Sequence, residues 1–266
     1  MHASAMAQMT RCVDTYLSRG RRYRVVDFGS RISDGQRNSH RDVFAEYDVD
    51  YVGVDIDEGR NVDVVMKRPY KIPLRANSVD VVISGQVFEH VPFFWASFME
   101  LARILRPGGL ILITVPSRGH THDVYDCWRI YPDGLRAIAA VSRLELLEGR
   151  TDFPPTTDGR RFDYGGIDRT NAYWGDTVGV FRKPQRYPAM EVWLFRTVAV
   201  WWANRVGDLS RVPATDPRHP GRRHEPPPAT PRRDLAAALR RLPRPVRRMA
   251  RPVRRLARRL RRRLGA

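Results

Sequence analysis

The chain has 266 residues, 42% of them hydrophobic, which is enough to bury one sizeable core. Two cysteines, Cys12 and Cys127, exclude a disulfide framework, and no apolar run reaches the roughly 20 residues that a membrane span needs. The net charge is +18, but 19 Arg against three acidic residues from position 209 onward carry nearly all of it, so the preceding body is close to neutral.

Short β-branched runs alternate with helical patterns along the first 185 residues. Pro92 suits the first turn of a helix, and apolar residues at positions 94, 98, 101 and 105 share one face of that helix. Predicted strands cover residues 24–28, 51–55, 62–66, 78–84, 110–115, 144–149 and 176–182, and predicted helices cover 39–47, 92–105 and 131–142. The alternation predicts an α/β fold with a mostly parallel sheet that is covered on both faces.

Polar residues follow three of these strands, at the edge where parallel sheets bind ligands. Asp27, Gly29 and Ser30 form the turn after the first strand, where glycine lets the backbone approach a ligand closely. We expect free N–H groups of the helix that follows to receive a carboxylate. Asp55 ends the second strand and can accept ribose hydroxyls, and Gln86 follows the fourth strand on the floor of the same crevice.

The strings "VVDFGS", "YVGVDID", "ISGQVFEHV" and "LARILRPGGLILITVPS", between residues 24 and 117, carry a family resemblance. They resemble the small-molecule class I methyltransferases that use S-adenosylmethionine, of the type 11-like group. The string "DCWRIYPDG", residues 126–134, is similar to a bacterial subgroup linked to glycan or lipid biosynthesis. The resemblance implies a Rossmann-like, doubly wound sheet of seven strands whose last strand is antiparallel.

The same resemblance implies the cofactor contacts. Asp27 and Gly29, with Ser30 beside them, are expected near the methionine end of S-adenosylmethionine, and Asp55 on its ribose. Ile56 is expected beside the adenine, and no metal is expected. Gln86 completes the predicted cofactor-binding set.

Two departures from the family pattern bear on the cofactor. Ser30 and Arg31 follow Gly29 where the family has further glycines, and the next glycine is Gly35. Arg68 stands where the family often has an acid beside the adenine amino group. A nicotinamide dinucleotide is the rival ligand, but the G-x-G-x-x-G fingerprint that its pyrophosphate requires is absent.

The candidate catalytic residues follow the fourth and fifth strands. His90 or His122 is a candidate base for a hydroxyl acceptor, and either can instead be a structural histidine. Asp126 can orient His122, bind sugar hydroxyls or cap a helix. Cys127 fits a small buried residue better than a nucleophile.

The sequence after position 185 changes character. We predict a methyltransferase domain at 1–185, a Trp-rich helical segment at 186–208, a Pro-rich linker at 209–231 and an Arg-rich amphipathic tail at 232–266. The helical segment can dock on the domain or lie in a membrane interface. The apolar stripe of the tail favours an anionic membrane surface over nucleic acid as its partner, and a solvated tail without partner is the alternative.

These patterns lead to three hypotheses. The first is a methyltransferase that acts on oxygen of a glycan, lipid-linked or small-metabolite acceptor at the cytoplasmic face of the membrane. The second is a catalytically degenerate methyltransferase fold that binds a membrane or nucleic acid. The third is an RNA methyltransferase that uses the tail as an electrostatic anchor. The amino terminus lacks a signal-peptide pattern, so we expect a cytoplasmic protein, peripheral at the membrane.

Overall fold

The computed structural model describes residues 3–33, 35–119, 125–151, 175–207 and 209. Short 3₁₀ helices form at His40–Phe44 and Phe88–His90. The longer elements are helices α1 (Ala3–Tyr16), α2 (Phe94–Ile104), α3 (Pro132–Ser142) and α4 (Ala189–Val206), and strands β1 (Tyr23–Phe28), β2 (Val49–Asp55), β3 (Val64–Val65), β4 (Val79–Gly85), β5 (Leu105–Arg118), β6 (Glu145–Thr151) and β7 (Gly175–Arg182).

The described strands form one seven-stranded sheet in the order β3-β2-β1-β4-β5-β7-β6. β1 pairs in parallel with β2 and β4, and β4 pairs in parallel with β5. β7 is antiparallel to both of its neighbours, β5 and β6. The predicted α/β fold, Rossmann-like with an antiparallel last strand, is therefore confirmed.

Both faces of the sheet are buried because successive side chains of each central strand point to opposite sides. Val26 and Ile111 pack on the face that α2 and α3 cover, together with the rings of Phe88 and Phe98, which are tilted by 41° with centroids 4.8 Å apart. Val25 joins the core of the opposite face, which α1 covers with Met9, Cys12 and Val13. Continuous apolar strands were the sequence pattern from which this double coverage was predicted.

Helix α1 was not among the predicted elements. Its buried residues, Ala5, Met9, Cys12 and Val13, recur at intervals of four, three and one, which places them on one helical face. Burial raises the pKa of the Cys12 thiol to about 11, so this cysteine is a packing residue and an unreactive one.

The helix predicted at residues 39–47 is wrong in type and length. The structure has a 3₁₀ helix of five residues, His40–Phe44, in its place. Ser39 begins it with a capping box: its Oγ accepts from the Arg41 N–H at 3.2 Å, and Asp42 accepts from the Ser39 N–H at 2.8 Å. The first N–H groups of this short helix are thus engaged within the protein and do not form an anion site.

Helix α4 packs on α2 through Val200 and Ala203, which share a small buried cluster with Tyr70 and Ala96. An ion pair between Arg196 and Glu100, and a hydrogen bond of 3.2 Å from the Tyr70 N–H to Asn204 Oδ1, fix the helix in place. Among the described helices, none combines the length and the apolar character needed to cross a membrane. The predicted division of the chain at position 185 stays a prediction, and the linker and tail after 209 lie outside the described residues.

Candidate active site

A crevice lies at the carboxyl ends of β1 and β4, where the strand order reverses. It encloses a cavity of about 90 Å³. Ligands of open parallel sheets bind at this topological position because the loops on either side diverge there. The residues that line the crevice include Asp27, Gly29, Ser30, His40, Asn61 and Gln86.

Asp27, at the end of β1, is buried in the wall of the crevice and contacts several neighbouring side chains. Its Oδ1 lies 2.8 Å from Nδ1 of His40, and its Oδ2 accepts from the Tyr51 hydroxyl and, at 3.4 Å, from Asn61 Nδ2. Burial and the negative charge of Asp27 raise the pKa of Tyr51, so its hydroxyl stays a donor. The carboxylate is thus satisfied by protein groups and positions three side chains around the crevice.

His40 faces the crevice and is only 3% exposed. Its Nδ1 is held by Asp27, while its Nε2 is buried without a hydrogen-bond partner. The Ser30 Oγ, in the same lining, is also buried without a partner. Two orphaned polar atoms in one cavity are the arrangement expected where a polar ligand group completes the hydrogen bonding.

The turn after β1 uses its own N–H groups to close on β2. The N–H groups of Gly29 and Ser30 donate to the Val54 carbonyl at 2.8 and 3.3 Å, and that of Arg31 donates to Asp55 Oδ2 at 2.9 Å. These three N–H groups of the turn are therefore bonded within the protein. Gly29 has φ +78°, and a Cβ there would lie 2.3 Å from Val87 Cγ2, so only glycine lets the turn approach the β4 loop.

Asp55, at the end of β2, holds three backbone N–H groups. Its Oδ1 accepts from Ile56 at 2.7 Å and from Asp57 at 3.2 Å, and its Oδ2 accepts from Arg31. A carboxylate has about four acceptor positions, so about one remains for a hydroxyl. Ile56 beside it is 46% exposed, an apolar surface at the place predicted for the adenine.

Gln86 follows β4 with φ 57°, a left-handed conformation that is uncommon for a residue with a side chain. Its N–H donates to the Thr114 carbonyl at 2.9 Å, and its Nε2 donates to Asp176 Oδ1 at 3.0 Å. Asp176 also accepts from Ser4 Oγ at 2.7 Å. This left-handed backbone conformation places Gln86 in the lining of the crevice. Strained backbone of this kind is common at functional sites.

Glu89 and His90 follow Gln86 in the 3₁₀ helix after β4. The Glu89 side chain is fully buried, and both carboxyl oxygens have no hydrogen-bond partner. Burial, together with the negative charges of Asp126 and Asp176, raises the pKa of Glu89 to about 8. His90 Nδ1 bonds the Tyr125 carbonyl, and its Nε2 lies 3.7 Å from Glu89 Oε1.

The remaining predicted catalytic residues lie near the β5 loop or outside the described chain. Asp126 forms a bidentate ion pair with Arg129, with N–O distances of 2.5 and 2.7 Å. It does not cap a helix, because Tyr131 precedes α3. His122 lies outside the described residues, so its role as a base stays a prediction. Burial raises the pKa of Cys127, which disfavours the thiolate that a nucleophile needs.

Sequence reasoning did not identify His40, Tyr51, Asn61 or Glu89 as site residues. The sequence did contain a signal for Tyr51. Strand alternation places Tyr51 on the same face of β2 as Asp55, and the pairing of β1 with β2 places it diagonally across from Asp27. Asn61 has φ 69°, and its Nδ2 also donates to the Ser30 carbonyl at 2.9 Å. No sequence pattern predicts this turn. Arg68, the departure noted beside the predicted adenine position, is exposed in the loop after β3.

Three comparisons place the chain among known proteins. A family model described as "Methyltransferase domain" matches residues 34–113. A "Probable S-adenosylmethionine-dependent methyltransferase" of Mycolicibacterium smegmatis is 30% identical over 187 residues, 66% of this chain and 70% of that protein. An "Uncharacterized methyltransferase" of Mycobacterium ulcerans is 32% identical over 116 residues, 38% of this chain and 44% of that protein.

The structure of Haemonchus contortus phosphoethanolamine N-methyltransferase 2 in complex with S-adenosyl-L-methionine is 17% identical, with a TM-score of 0.48. It covers 67% of this chain and 53% of that chain, and the likeness concerns the fold alone.

The crevice fits the cofactor of this family. The orphaned His40 Nε2 and Ser30 Oγ offer polar contacts for the amino-acid end, Asp55 keeps an acceptor position for the ribose, and Ile56 presents an apolar face for the adenine. The chain therefore belongs to the S-adenosylmethionine-dependent methyltransferase family and uses S-adenosylmethionine as its methyl donor.

Proposed function

We propose that the protein methylates a hydroxyl oxygen of a glycan, lipid-linked or small-metabolite acceptor, with His90 as the general base. The observation that carries this proposal is the hydrogen bond between His90 Nδ1 and the Tyr125 carbonyl. A carbonyl can only accept, so Nδ1 must carry the proton and Nε2 of the neutral ring bears the lone pair. A base with this tautomer, four residues after the crevice-lining Gln86, suits an acceptor that must lose a proton.

The need for a base separates oxygen from nitrogen acceptors. A hydroxyl loses its proton only at high pH, whereas a neutral amine already has a nucleophilic lone pair. When bound, the cofactor would supply an electrophilic methyl group on its sulfonium, and its C–S bond would break as the acceptor oxygen bonds to the methyl carbon, with S-adenosylhomocysteine as the leaving group. In this scheme His90 Nε2 takes the acceptor proton, and the loops that bear Gln86 and His90 hold the acceptor in line.

Aromatic rings next to His90 support a sugar or lipid-linked acceptor. Phe94 and Trp128 meet edge to face with centroids 5.4 Å apart, and Trp95 lies 6.3 Å from Trp128. The indole Nε1 of Trp128 donates to the Val91 carbonyl at 3.1 Å, which fixes this wall one residue beyond His90. Partly buried aromatic walls with a few polar groups are typical of pockets for small organic ligands.

The proposal is tested by methyl transfer to matched acceptors. We expect the full-length protein, given S-adenosylmethionine with a radiolabelled methyl group, to label alkyl glycosides that carry only hydroxyl groups. Amino-sugar counterparts of the same glycosides serve as matched acceptors, and a bulk RNA preparation serves as a further comparison. Label that enters only the amino sugars or only RNA would contradict an oxygen acceptor of this class.

Asp55→Ala is expected to weaken binding of S-adenosylhomocysteine on the order of 10- to 100-fold, because one hydrogen bond to a charged group contributes about 1.5–3 kcal/mol. Calorimetric titration of the full-length protein measures the effect. Asp57→Ala is the matched control, since the Asp57 side chain is exposed and only its N–H contacts Asp55. NAD serves as a ligand that should not bind. An unchanged affinity in a folded Asp55→Ala protein would remove Asp55 from the cofactor site.

A further inference from the structure

Helix α4 presents an apolar stripe to solvent on the face opposite its contact with α2. Val192, Val200 and Ala203 are buried, whereas the exposed apolar residues, separated by five, three, three and one positions, fall on the other side of the helix. Trp202 and Phe195 are 51% and 53% exposed, which is unusual for large aromatic side chains. The stripe consists of Met190, Phe195, Val198, Trp201 and Trp202.

A contiguous apolar surface on one helix face signals an interaction site because water-exposed aromatics are costly when they cluster. The rings of Trp201 and Trp202 lie 5.8 Å apart and form one patch near the carboxyl end of α4. Trp prefers the boundary between lipid and water, where its apolar ring is buried and its indole N–H stays hydrated. The composition of the stripe therefore favours a membrane surface over a dry protein groove.

Exposed cations lie in the loop after β3 and in the last turn of α4. The Tyr70 N–H donates to Asn204 Oδ1, so the loop after β3 lies against the last turn of α4. Beyond Gly207 the sequence continues into the segment that holds 19 of the Arg residues. The exposed cations of the loop and the helix are Lys67, Arg68, Lys71 and Arg205.

We propose that the apolar stripe of α4, with these cations beside it, docks on a membrane surface that contains anionic lipids. The aromatic side chains enter the interface, and the cations meet the lipid phosphates. Cations near an anionic surface strengthen adsorption, so this rim reinforces the apolar contact. We assign the stripe to an anionic membrane because the negative charge of that surface complements the positive charge of these cations.

The docking face lies beside the segment that carries the candidate base. The Phe93 N–H donates to the Tyr70 hydroxyl at 3.4 Å, and Phe93 follows His90 by three residues. Tyr70 in turn contacts Asn204, two residues after Trp202. A membrane docked on α4 would therefore lie close to the acceptor side of the crevice. This last step, a lipid-linked acceptor delivered from the membrane, rests on the proposed function, whereas docking itself does not.

Co-sedimentation of the full-length protein with vesicles tests the docking. Vesicles of equal parts phosphatidylglycerol and phosphatidylcholine are compared with pure phosphatidylcholine. We expect Trp201→Ser with Trp202→Ser to lower the partition coefficient on the anionic vesicles about tenfold or more, the factor that a loss of about 1.4 kcal/mol produces. The matched control is Val65→Ser with Leu147→Ser, which removes two exposed apolar side chains elsewhere on the described surface. This control should bind like the unaltered protein.

A second variant tests the rim. Lys67→Glu with Lys71→Glu should weaken binding to the anionic vesicles and leave the small binding to phosphatidylcholine unchanged. Equal binding of the tryptophan variant and the unaltered protein would overturn the proposal, since the tail would then act alone. Equal loss in the Val65 and Leu147 control would overturn it as well.

A dimer in size-exclusion chromatography with light scattering, lost in the tryptophan variant, would assign the stripe to a second copy and likewise overturn docking. Vesicle binding is read without an acceptor, so its failure is distinct from a failure of oxygen methylation. Transfer to a soluble glycoside should be unchanged in the tryptophan variant, because Trp201 and Trp202 are not part of the catalytic machinery.

Discussion

His90→Asn is expected to lower kcat for a hydroxyl acceptor about 10²- to 10⁴-fold, the usual contribution of a positioned general base. Asparagine keeps an N–H donor for the Tyr125 carbonyl and removes the basic nitrogen, so the loop geometry is preserved. KM and the affinity for S-adenosylhomocysteine should change little. Steady-state kinetics of the variant and the unaltered protein with the same hydroxyl acceptor measures the effect.

His90→Ala separates the base from its support. This variant also loses the bond to the Tyr125 carbonyl, and added imidazole should restore part of its activity by supplying the missing base. Imidazole should leave His90→Asn nearly unchanged, because the amide fills the position. If His90→Asn retained full kcat with an established hydroxyl acceptor, His90 would be a structural residue, and His122 would be the remaining candidate base.

Glu89→Gln should stabilise the folded protein at alkaline pH. The folded-state pKa of Glu89 is raised to about 8 by burial, well above its ordinary value of 4.5. Between those two pH values the folded state holds one more proton than the unfolded state, so stability falls as pH rises through this window and levels off above about 8. At about 1.4 kcal/mol per pKa unit, the full cost is on the order of 4 kcal/mol. Glutamine has the same shape and no charge to bury.

Thermal unfolding at pH 5 and pH 8.5 measures this effect. The variant and the unaltered protein should have similar Tm values at pH 5, and the variant should gain about 10 °C over the unaltered protein at pH 8.5. Glu100→Gln is the matched control, because Glu100 is equally buried but paired with Arg103 at 2.8 Å and with Arg196. That control should lose stability at both pH values. A Glu89→Gln protein with no pH-dependent gain would show that Glu89 is ionised at little cost.

The sheet was predictable because its signals are local. Val25, Val26, Ile111 and Leu112 belong to short apolar runs without alternation, so the central strands and their double coverage follow from short windows. Helix α1 has an apolar face at Met9 and Cys12 that was open to the same reasoning. The helix predicted over residues 39–47 starts as the sequence indicates, with Ser39 and Asp42 in a capping box, but it is a 3₁₀ helix that ends at Phe44.

The site was only partly predictable. Asp27, Asp55 and Gln86 sit where strands end, and topology alone brings strand ends to one edge. His40 and Asn61 reach Asp27 across 13 and 34 residues through loops of irregular backbone, so no periodic pattern links them. The protonation state of Glu89 depends on its burial by the whole fold, and the composition of the sequence carries no information about that burial.

The position of β7 sets the order in which the domain can be completed. This strand is the last of the sheet in sequence yet lies between β5 and β6, so both neighbours present an unpaired edge until residues 175–182 are available. During synthesis, a chain that still lacks β7 leaves the facing edges of β5 and β6 unpaired. Both edges can then form hydrogen bonds with other chains. Insertion of one strand closes both edges at once. A nascent or truncated chain that stops short of Arg182 is consequently the form of this protein most exposed to aggregation and to chaperone capture.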